Sequence, residues 1–205
     1  MNYIKQVFNA TNLDMAKDIC LSKDVRYPNK FEDETQFLIN FIKEKKIINS
    51  KTRVADFGCG IGRVSKELIE TFDCNIVGFD ISTHMLLLAD QYVENPDQFK
   101  GQKYTKELVW KNSKFDLFLA SFVLQHSEHP ERDINFIYNN LNNDGVLILV
   151  NEPERLWPVD VKDGYAVWYD DKINITELVS NKFINLGYFD YYKRDIKCLS
   201  LWGKI

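Results

Sequence analysis

Asp56 stands two positions before a run of alternating glycines, Gly58-Cys59-Gly60-Ile61-Gly62-Arg63, and a second acid, Asp80, closes the next apolar stretch. Glycine has no Cβ, so alternate glycines let the backbone come within van der Waals distance of a ligand. A helix that starts at such a turn adds unpaired N–H groups and the positive end of its dipole. The pair of features suits a nucleotide-like ligand. Asp80 ends the strand-like run Asn75-Ile76-Val77-Gly78-Phe79-Asp80 at a distance typical of a carboxylate that takes both ribose hydroxyls. A carboxylate presents two charge-assisted acceptors in one plane, which matches two adjacent hydroxyls. The other role open to Asp80 is a helix N-cap, since Ser82 and Thr83 follow, and the two roles are compatible. A dinucleotide loop of the Gly-x-Gly-x-x-Gly type would need a glycine where Arg63 stands, which disfavours a nicotinamide cofactor. Cys59 sits inside the loop, either as a small side chain or as a reactive thiol.

These residues need a scaffold, and the chain is long enough for one. Its 205 residues suit one domain with a two-sided core and a small cap. Apolar content of 45% and charged content of 27% are ordinary for a globular protein. A net charge of −4 gives the surface as a whole no attraction for polyanions, which argues against nucleic acid. Met1-Asn2-Tyr3-Ile4-Lys5 is followed by no apolar h-region, and the apolar runs 117–124 and 146–150 are too short to span a bilayer. The expectation is a cytoplasmic protein without a membrane segment. Cys20, Cys59, Cys74 and Cys198 show no paired metal spacing, and reduced thiols are the simplest account.

The pattern predicts helices near 12–22 and 32–47, standing outside the sheet. Phe31, Thr35, Leu38, Ile39, Phe41 and Ile42 share one face of the second. Residues 1–50 thus read as a helical cap and 51–205 as the main domain. From residue 53 the elements alternate: strands at 53–57, 75–80, 101–105, 115–120 and 145–150, helices at 62–72, 82–94 and 131–142. Such alternation is that of an α/β fold, a Rossmann-like, mostly parallel sheet with helices on both faces. Residues 151–164 read as a loop and 165–169 as a short extended segment. Asn174 or Thr176 caps a helix that runs to Leu186, with Gly187 as its stop. Two extended runs, 188–193 and 196–203, leave no room for a helix and must pair as an antiparallel hairpin.

With these elements in place the chain resembles the class I S-adenosylmethionine-dependent methyltransferases, from about residue 50 to the C-terminus. Asp56, Gly58, Gly60 and Gly62 stand in the register of the family's first motif, and Asp80 matches its second. Phe115-Asp116-Leu117-Phe118-Leu119-Ala120-Ser121 looks like the fourth strand, and Val123-Leu124-Gln125-His126 resembles the frequent Val-Leu-x-His segment. Asn142-Asn143-Asp144-Gly145-Val146-Leu147 resembles the turn into the fifth strand, with Asn and Asp replacing the usual Pro and Gly. The resemblance implies seven strands in the order 3-2-1-4-5-7-6, the cofactor S-adenosylmethionine and the product S-adenosylhomocysteine, and a small-molecule acceptor.

It also implies roles. Gly58, Cys59, Gly60, Gly62 and Arg63 line the methionine and ribose. Asp56 binds the methionine ammonium or holds the loop, and Ile81 packs on adenine or belongs to the core. Ser121 and Gln125 sit on the rim, with Glu152 as a further pocket acid. His126 is the histidine nominated for chemistry. Neutral, it takes a proton from an acceptor oxygen or nitrogen, or else it bonds the loop backbone as a framework residue. His126, Glu128 and His129 are too loosely spaced for a metal and lack a third ligand, so none is expected. Trp110, Trp157, Trp168 and Tyr169 line an acceptor pocket or anchor loops, and Arg26 and Tyr27 contact an anionic acceptor or plain solvent. Amino-methylating DNA enzymes carry an Asp/Asn-Pro-Pro-aromatic segment where this chain has Ala120-Ser121-Phe122-Val123. A domain that binds the cofactor without catalysis, as scaffold or sensor, is the other reading.

Overall fold

Val54-Ala55-Asp56-Phe57 are all buried, and so are Gly78-Phe79-Asp80, so β1 (Arg53–Phe57) and β2 (Asn75–Asp80) form the interior of a sheet. The computed structural model describes residues 1–20, 29–192 and 198–204. The remaining strands are β3 (Phe99–Lys103), β4 (Phe115–Ser121), β5 (Leu141–Val150), β6 (Glu154–Lys162), β7 (Tyr165–Asn174), β8 (Phe183–Phe189) and β9 (Leu199–Lys204). The helices are α1 (Leu13–Cys20), α2 (Lys30–Lys45), α3 (Arg63–Phe72), α4 (Thr83–Val93), α5 (Pro130–Asn140) and α6 (Ile175–Ser180). Seven strands make one sheet in the order β3-β2-β1-β4-β5-β9-β8, which is the expected order once β6 and β7 are set aside. No helix among the described residues is long and apolar enough to cross a membrane.

The chain divides into two compact units, Phe8–Val109 and Met1–Val7 with Trp110–Ile205. In the first, β1 pairs parallel with β2 and β2 with β3, so that Asp80 stands opposite Lys103. Helix α3 starts from Gly62 in the left-handed region (φ 74°) and buries Val64, Leu68 and Ile69. Its N-terminal neighbour α2 buries Leu38, Ile39, Phe41 and Ile42, the stripe expected from the sequence. Helix α1 adds Ala16 to a core with Ala10, Ile61 and Met85, against which Ile19 and Cys20 pack.

In the second unit β4 pairs parallel with β5, and β9 runs antiparallel between β5 and β8. The antiparallel terminal hairpin forms as expected, but its first strand, Phe183–Phe189, begins and ends before the expected 188–193. Its second starts at Leu199, later than the expected 196; residues 193 and 196–197 lie outside the described residues. Helix α6 is capped by Asn174, whose Oδ1 accepts from Glu177 N at 3.0 Å, but it stops at Ser180. Gly187 lies inside β8, at an irregularity of register, and does not end a helix. Strand β3 lies two residues earlier than the spacing suggests, and β5 starts at Leu141. The stretch 151–164 is not a loop. β6 and β7 form a separate two-stranded antiparallel sheet whose turn is Asp163 (φ 51°) and Gly164 (φ 81°), the left-handed pair that a tight hairpin demands. The backbone of Ile4 joins it, donating to Pro158 O at 3.1 Å.

Candidate functional site

The chain leaves β1 at Phe57 and folds at once into a loop held by its own backbone. Gly58 N and Cys59 N both donate to Phe79 O, at 2.7 and 3.0 Å, and Gly62 N donates to Cys59 O at 2.9 Å. Gly58, Gly60 and Gly62 all have positive φ, which side-chain-bearing residues rarely adopt. Asp80 secures this loop from the next strand. Its Oδ2 accepts from Gly60 N at 2.9 Å and its Oδ1 from Ser82 N at 2.8 Å. The cap of α4 is Ser82, whose Oγ accepts from Met85 N at 3.2 Å. Asp80 is not that cap, and its carboxylate faces the glycine loop.

Asp56 is also buried and takes a hydrogen bond from Ser65 Oγ at 2.7 Å. Burial pushes its carboxyl up to about 6, with Asp80 adding to the rise and Ser65 and Arg63 opposing it. Burial raises the Asp80 carboxyl too, against the pull of the Ser82 and Gly60 N–H groups and of Lys103. Two carboxylates out of water make a place that favours hydrogen-bond donors and positive charge. Arg63 is the buried cation beside them. Its guanidinium bonds Thr35 Oγ1 at 2.6 Å and lies 5.5 Å from the Phe31 ring, so it ties α3 to α2.

Cys59 is buried and donates to Gly60 O at 3.7 Å, and burial holds its thiol well above the usual range. Ile81 is half-buried, and its carbonyl accepts from Lys103 Nζ, which also donates to Thr83 Oγ1 at 2.9 Å. Ser65, Ser82, Thr35 and Lys103 were not legible as parts of this loop. Only Ser82 had a local signal, its position before a helix.

In the other unit Ser121 closes β4, and its Oγ is buried without a hydrogen-bond partner among the described residues. Phe122 follows in the left-handed region (φ 52°), a conformation a bulky residue adopts only under constraint. Gln125 is buried, and its backbone N donates to Asn151 Oδ1 at 3.0 Å. Its side-chain Oε1 accepts from Glu152 N at 2.6 Å, and its Nε2 lies 3.3 Å from His126 Nε2. His126 Nδ1 stands 2.7 Å from Leu156 O on β6, and its ring is 5.0 Å from that of Trp168 on β7. Burial lowers the imidazole pKa below its ordinary value, against the bond to Leu156. The structure thus brings Gln125, His126, Glu152 and Trp168 together.

Trp157 lies between the Tyr3 ring at 6.2 Å and the Arg155 guanidinium at 4.7 Å, with Tyr169 edge-on at 5.9 Å. Trp110 donates to Ser113 O at 3.2 Å and anchors the approach to β4. Glu128 and His129 meet each other at 3.9 Å, and no three side chains of metal-binding type gather among the described residues. Arg26 and Tyr27 lie outside the described residues.

A family model described as a methyltransferase domain matches residues 25–186. A sterol 24-C-methyltransferase of Candida albicans is 24% identical over 174 residues, 77% of this chain and 45% of its own. A ubiquinone biosynthesis O-methyltransferase of Glaesserella parasuis is 29% identical over 115 residues, 50% of this chain and 48% of its own. The chain thus spans less than half the length of these curated relatives. Among solved structures, the N-methyltransferase NodS of Bradyrhizobium japonicum in complex with S-adenosyl-L-homocysteine superposes with a TM-score of 0.60 at 13% identity, covering 92% of this chain and 96% of that one. At that identity the likeness is one of fold.

Proposed function

The chain belongs to the class I S-adenosylmethionine-dependent methyltransferases, and from that premise we propose that it transfers the sulfonium methyl to an oxygen or nitrogen of a small-molecule acceptor. S-adenosylmethionine is the cofactor and supplies a methyl group already activated by the positive sulfur. The protein's task is then geometric: to hold an acceptor lone pair in line with the S–CH₃ bond and keep water out.

The observation that carries the reading is the pair of buried carboxylates, Asp56 and Asp80, around a loop of three positive-φ glycines. Each oxygen of Asp80 that accepts a backbone N–H keeps a second lone pair, which leaves the carboxylate able to take the ribose hydroxyls. Asp56 offers negative charge to the methionine ammonium. Gly58, Cys59, Gly60 and Gly62 present backbone to the methionine and ribose, Arg63 balances the two acids, and Ile81 packs on adenine. Ser121 supplies a free hydroxyl and His126 the proton acceptor. Residues 1–50 serve as the cap that shapes acceptor choice, and 51–205 form the methyltransferase domain.

Calorimetric titration with S-adenosylmethionine and S-adenosylhomocysteine tests the cradle. Saturable binding of both is expected, and no heat at millimolar cofactor would end the reading. Turnover against a panel of hydroxyl, amine and alkene acceptors then tests transfer. Carbon acceptors belong in it because one matched relative is a sterol C-methyltransferase. A cofactor-binding module without catalysis is the second reading. It is favoured by His126, both of whose ring nitrogens already face hydrogen-bonding groups of the protein. Binding without turnover on any acceptor would support it.

A further inference from the structure

We propose that Gln125 is a positioning residue that holds His126 in one neutral tautomer, with Nδ1 protonated and Nε2 presented as an acceptor. Some of the atoms around the ring can only donate and others can only accept. Leu156 O is a carbonyl, so the 2.7 Å contact requires a proton on His126 Nδ1. Glu152 N–H can only donate, so the 2.6 Å contact requires the carboxamide oxygen of Gln125 on its side. The Gln125 NH₂ group therefore faces His126 Nε2 at 3.3 Å, and the bond there runs from Gln125 to the ring. The carboxamide cannot be turned around without setting two donors against each other at Glu152. Gln125 is itself fixed, because Asn151 holds its backbone at 3.0 Å while the Asn151 amide donates to Glu152 O.

The same geometry opposes protonation of the ring. A proton on Nε2 would face the Gln125 NH₂ group, and flipping the amide would only move the conflict to Glu152 N–H. The charged side chains of the neighbouring hairpin and turn have partners of their own. Arg155 on β6 pairs with Asp171 on β7, Lys172 on β7 pairs with Glu154 and Asp170, and His129 faces Glu128. Glu152 meets Gln125 through its backbone. An acceptor O–H or N–H that uses the His126 lone pair must displace the Gln125 amide from it. The carboxamide thus marks the approach of the acceptor's donor group.

The use of this arrangement rests on the proposed role of His126, but its test reads the ring directly. Long-range ¹H–¹⁵N NMR of the whole chain reports which ring nitrogens carry protons. The His126 signals are identified by their loss in His126→Gln. In the native protein at neutral pH, Nδ1 is expected protonated and Nε2 bare. In Gln125→Glu a carboxylate accepts from both Glu152 N–H and Nε2–H. The His126 proton affinity then rises at least tenfold, a titration midpoint about one pH unit or more higher. In Gln125→Ala the midpoint moves part of the way toward that of an ordinary histidine, and Nδ1 stays protonated on Leu156. An Nε2–H tautomer in the native protein, or a Gln125→Glu midpoint equal to the native one, overturns the proposal. The native spectrum decides even if a variant does not fold. Failure to bind S-adenosylmethionine would leave these spectra unchanged, so the two readings fail separately.

Discussion

Gly60 N donates to Asp80 Oδ2 at 2.9 Å, across twenty residues of sequence. This bond joins the two motifs that stand apart in the chain. It fixes the glycine loop against the end of β2 before any ligand arrives. Asp80 therefore holds the loop, and under the proposed function it also meets the ribose, so its removal should affect both.

Asp80→Ala is expected to weaken S-adenosylmethionine binding by about 1.5–3 kcal/mol, the worth of a charged hydrogen-bond partner. Calorimetric titration measures it. Asp80→Asn keeps an acceptor for Gly60 N or Ser82 N and should fall between the two. Equal affinity in all three proteins would remove Asp80 from the binding site.

The buried acids make stability depend on pH in a defined direction. Asp56 holds its proton up to about 6 in the fold, against an ordinary value of 3.8. The folded state thus binds more protons than the unfolded chain between those values. The stability from this group is fully present below the ordinary value and is lost as pH rises through about 6. Urea unfolding at pH 5 and pH 7 should show the cofactor-free protein gaining stability on acidification. Asp56→Asn should gain less, by about 1 kcal/mol. An identical pH response in the variant would mean that Asp56 is not the buried acid described.

The cradle was legible because its signals are local and backbone-based. Three glycines at alternate positions have few uses other than a positive-φ turn, and Asp80 sits where its strand ends. The residues that brace the cradle were not legible. Ser65 reaches Asp56 from one turn into α3, and Lys103 reaches Ile81 only because β3 pairs in register with β2. The β6–β7 hairpin was missed because Pro153 and Pro158 read as loop residues. Pro158 is tolerated beside an irregularity of register, where its carbonyl still accepts from Ile4. Asp163-Gly164 was the signal that pointed the other way. With the hairpin unseen, Leu156 as the partner of His126 was unseen too.

Gly62→Ala should be the more damaging of the loop substitutions to the fold. A Cβ there would stand 2.6 Å from Val93 Cγ2, at a φ of +74°. Backbone strain and overpacking together predict a loss of about 2–4 kcal/mol in unfolding free energy. At Gly60 a Cβ would stand 2.8 Å from Cys20 Sγ. Cys20→Ala removes that sulfur, so Gly60→Ala combined with Cys20→Ala should recover the steric part and keep the backbone cost of about 1 kcal/mol. No recovery would show that α1 does not press on the loop.

His126→Ala should lower turnover by on the order of 10²-fold on an acceptor that must lose a proton. Cofactor affinity should stay unchanged. Unchanged turnover would return the histidine to a framework role, joining the turn at Leu124–His126 to the hairpin through Leu156.

Arg155 braces the hairpin, and its loss should be costly. Its side chain is 8% exposed, pairs with Asp171, and donates to Ser127 O at 3.1 Å and Glu128 O at 2.9 Å. These bonds hold the segment just after His126 against β6 and β7. Arg155→Met keeps most of the side-chain bulk over Trp157 but removes the cation beside the Asp171 carboxylate, 19% exposed, and the donor to the Ser127 and Glu128 carbonyls. Breaking one side of such a pair predicts a loss of about 3–5 kcal/mol. Adding Asp171→Asn removes the orphaned charge and should restore part of that loss, since the penalty lies mostly in a charge left unpaired. Urea midpoints of the native, single and double variants measure both steps. A loss under about 1 kcal/mol in Arg155→Met, the worth of a surface ion pair, would show that the hairpin stands without it.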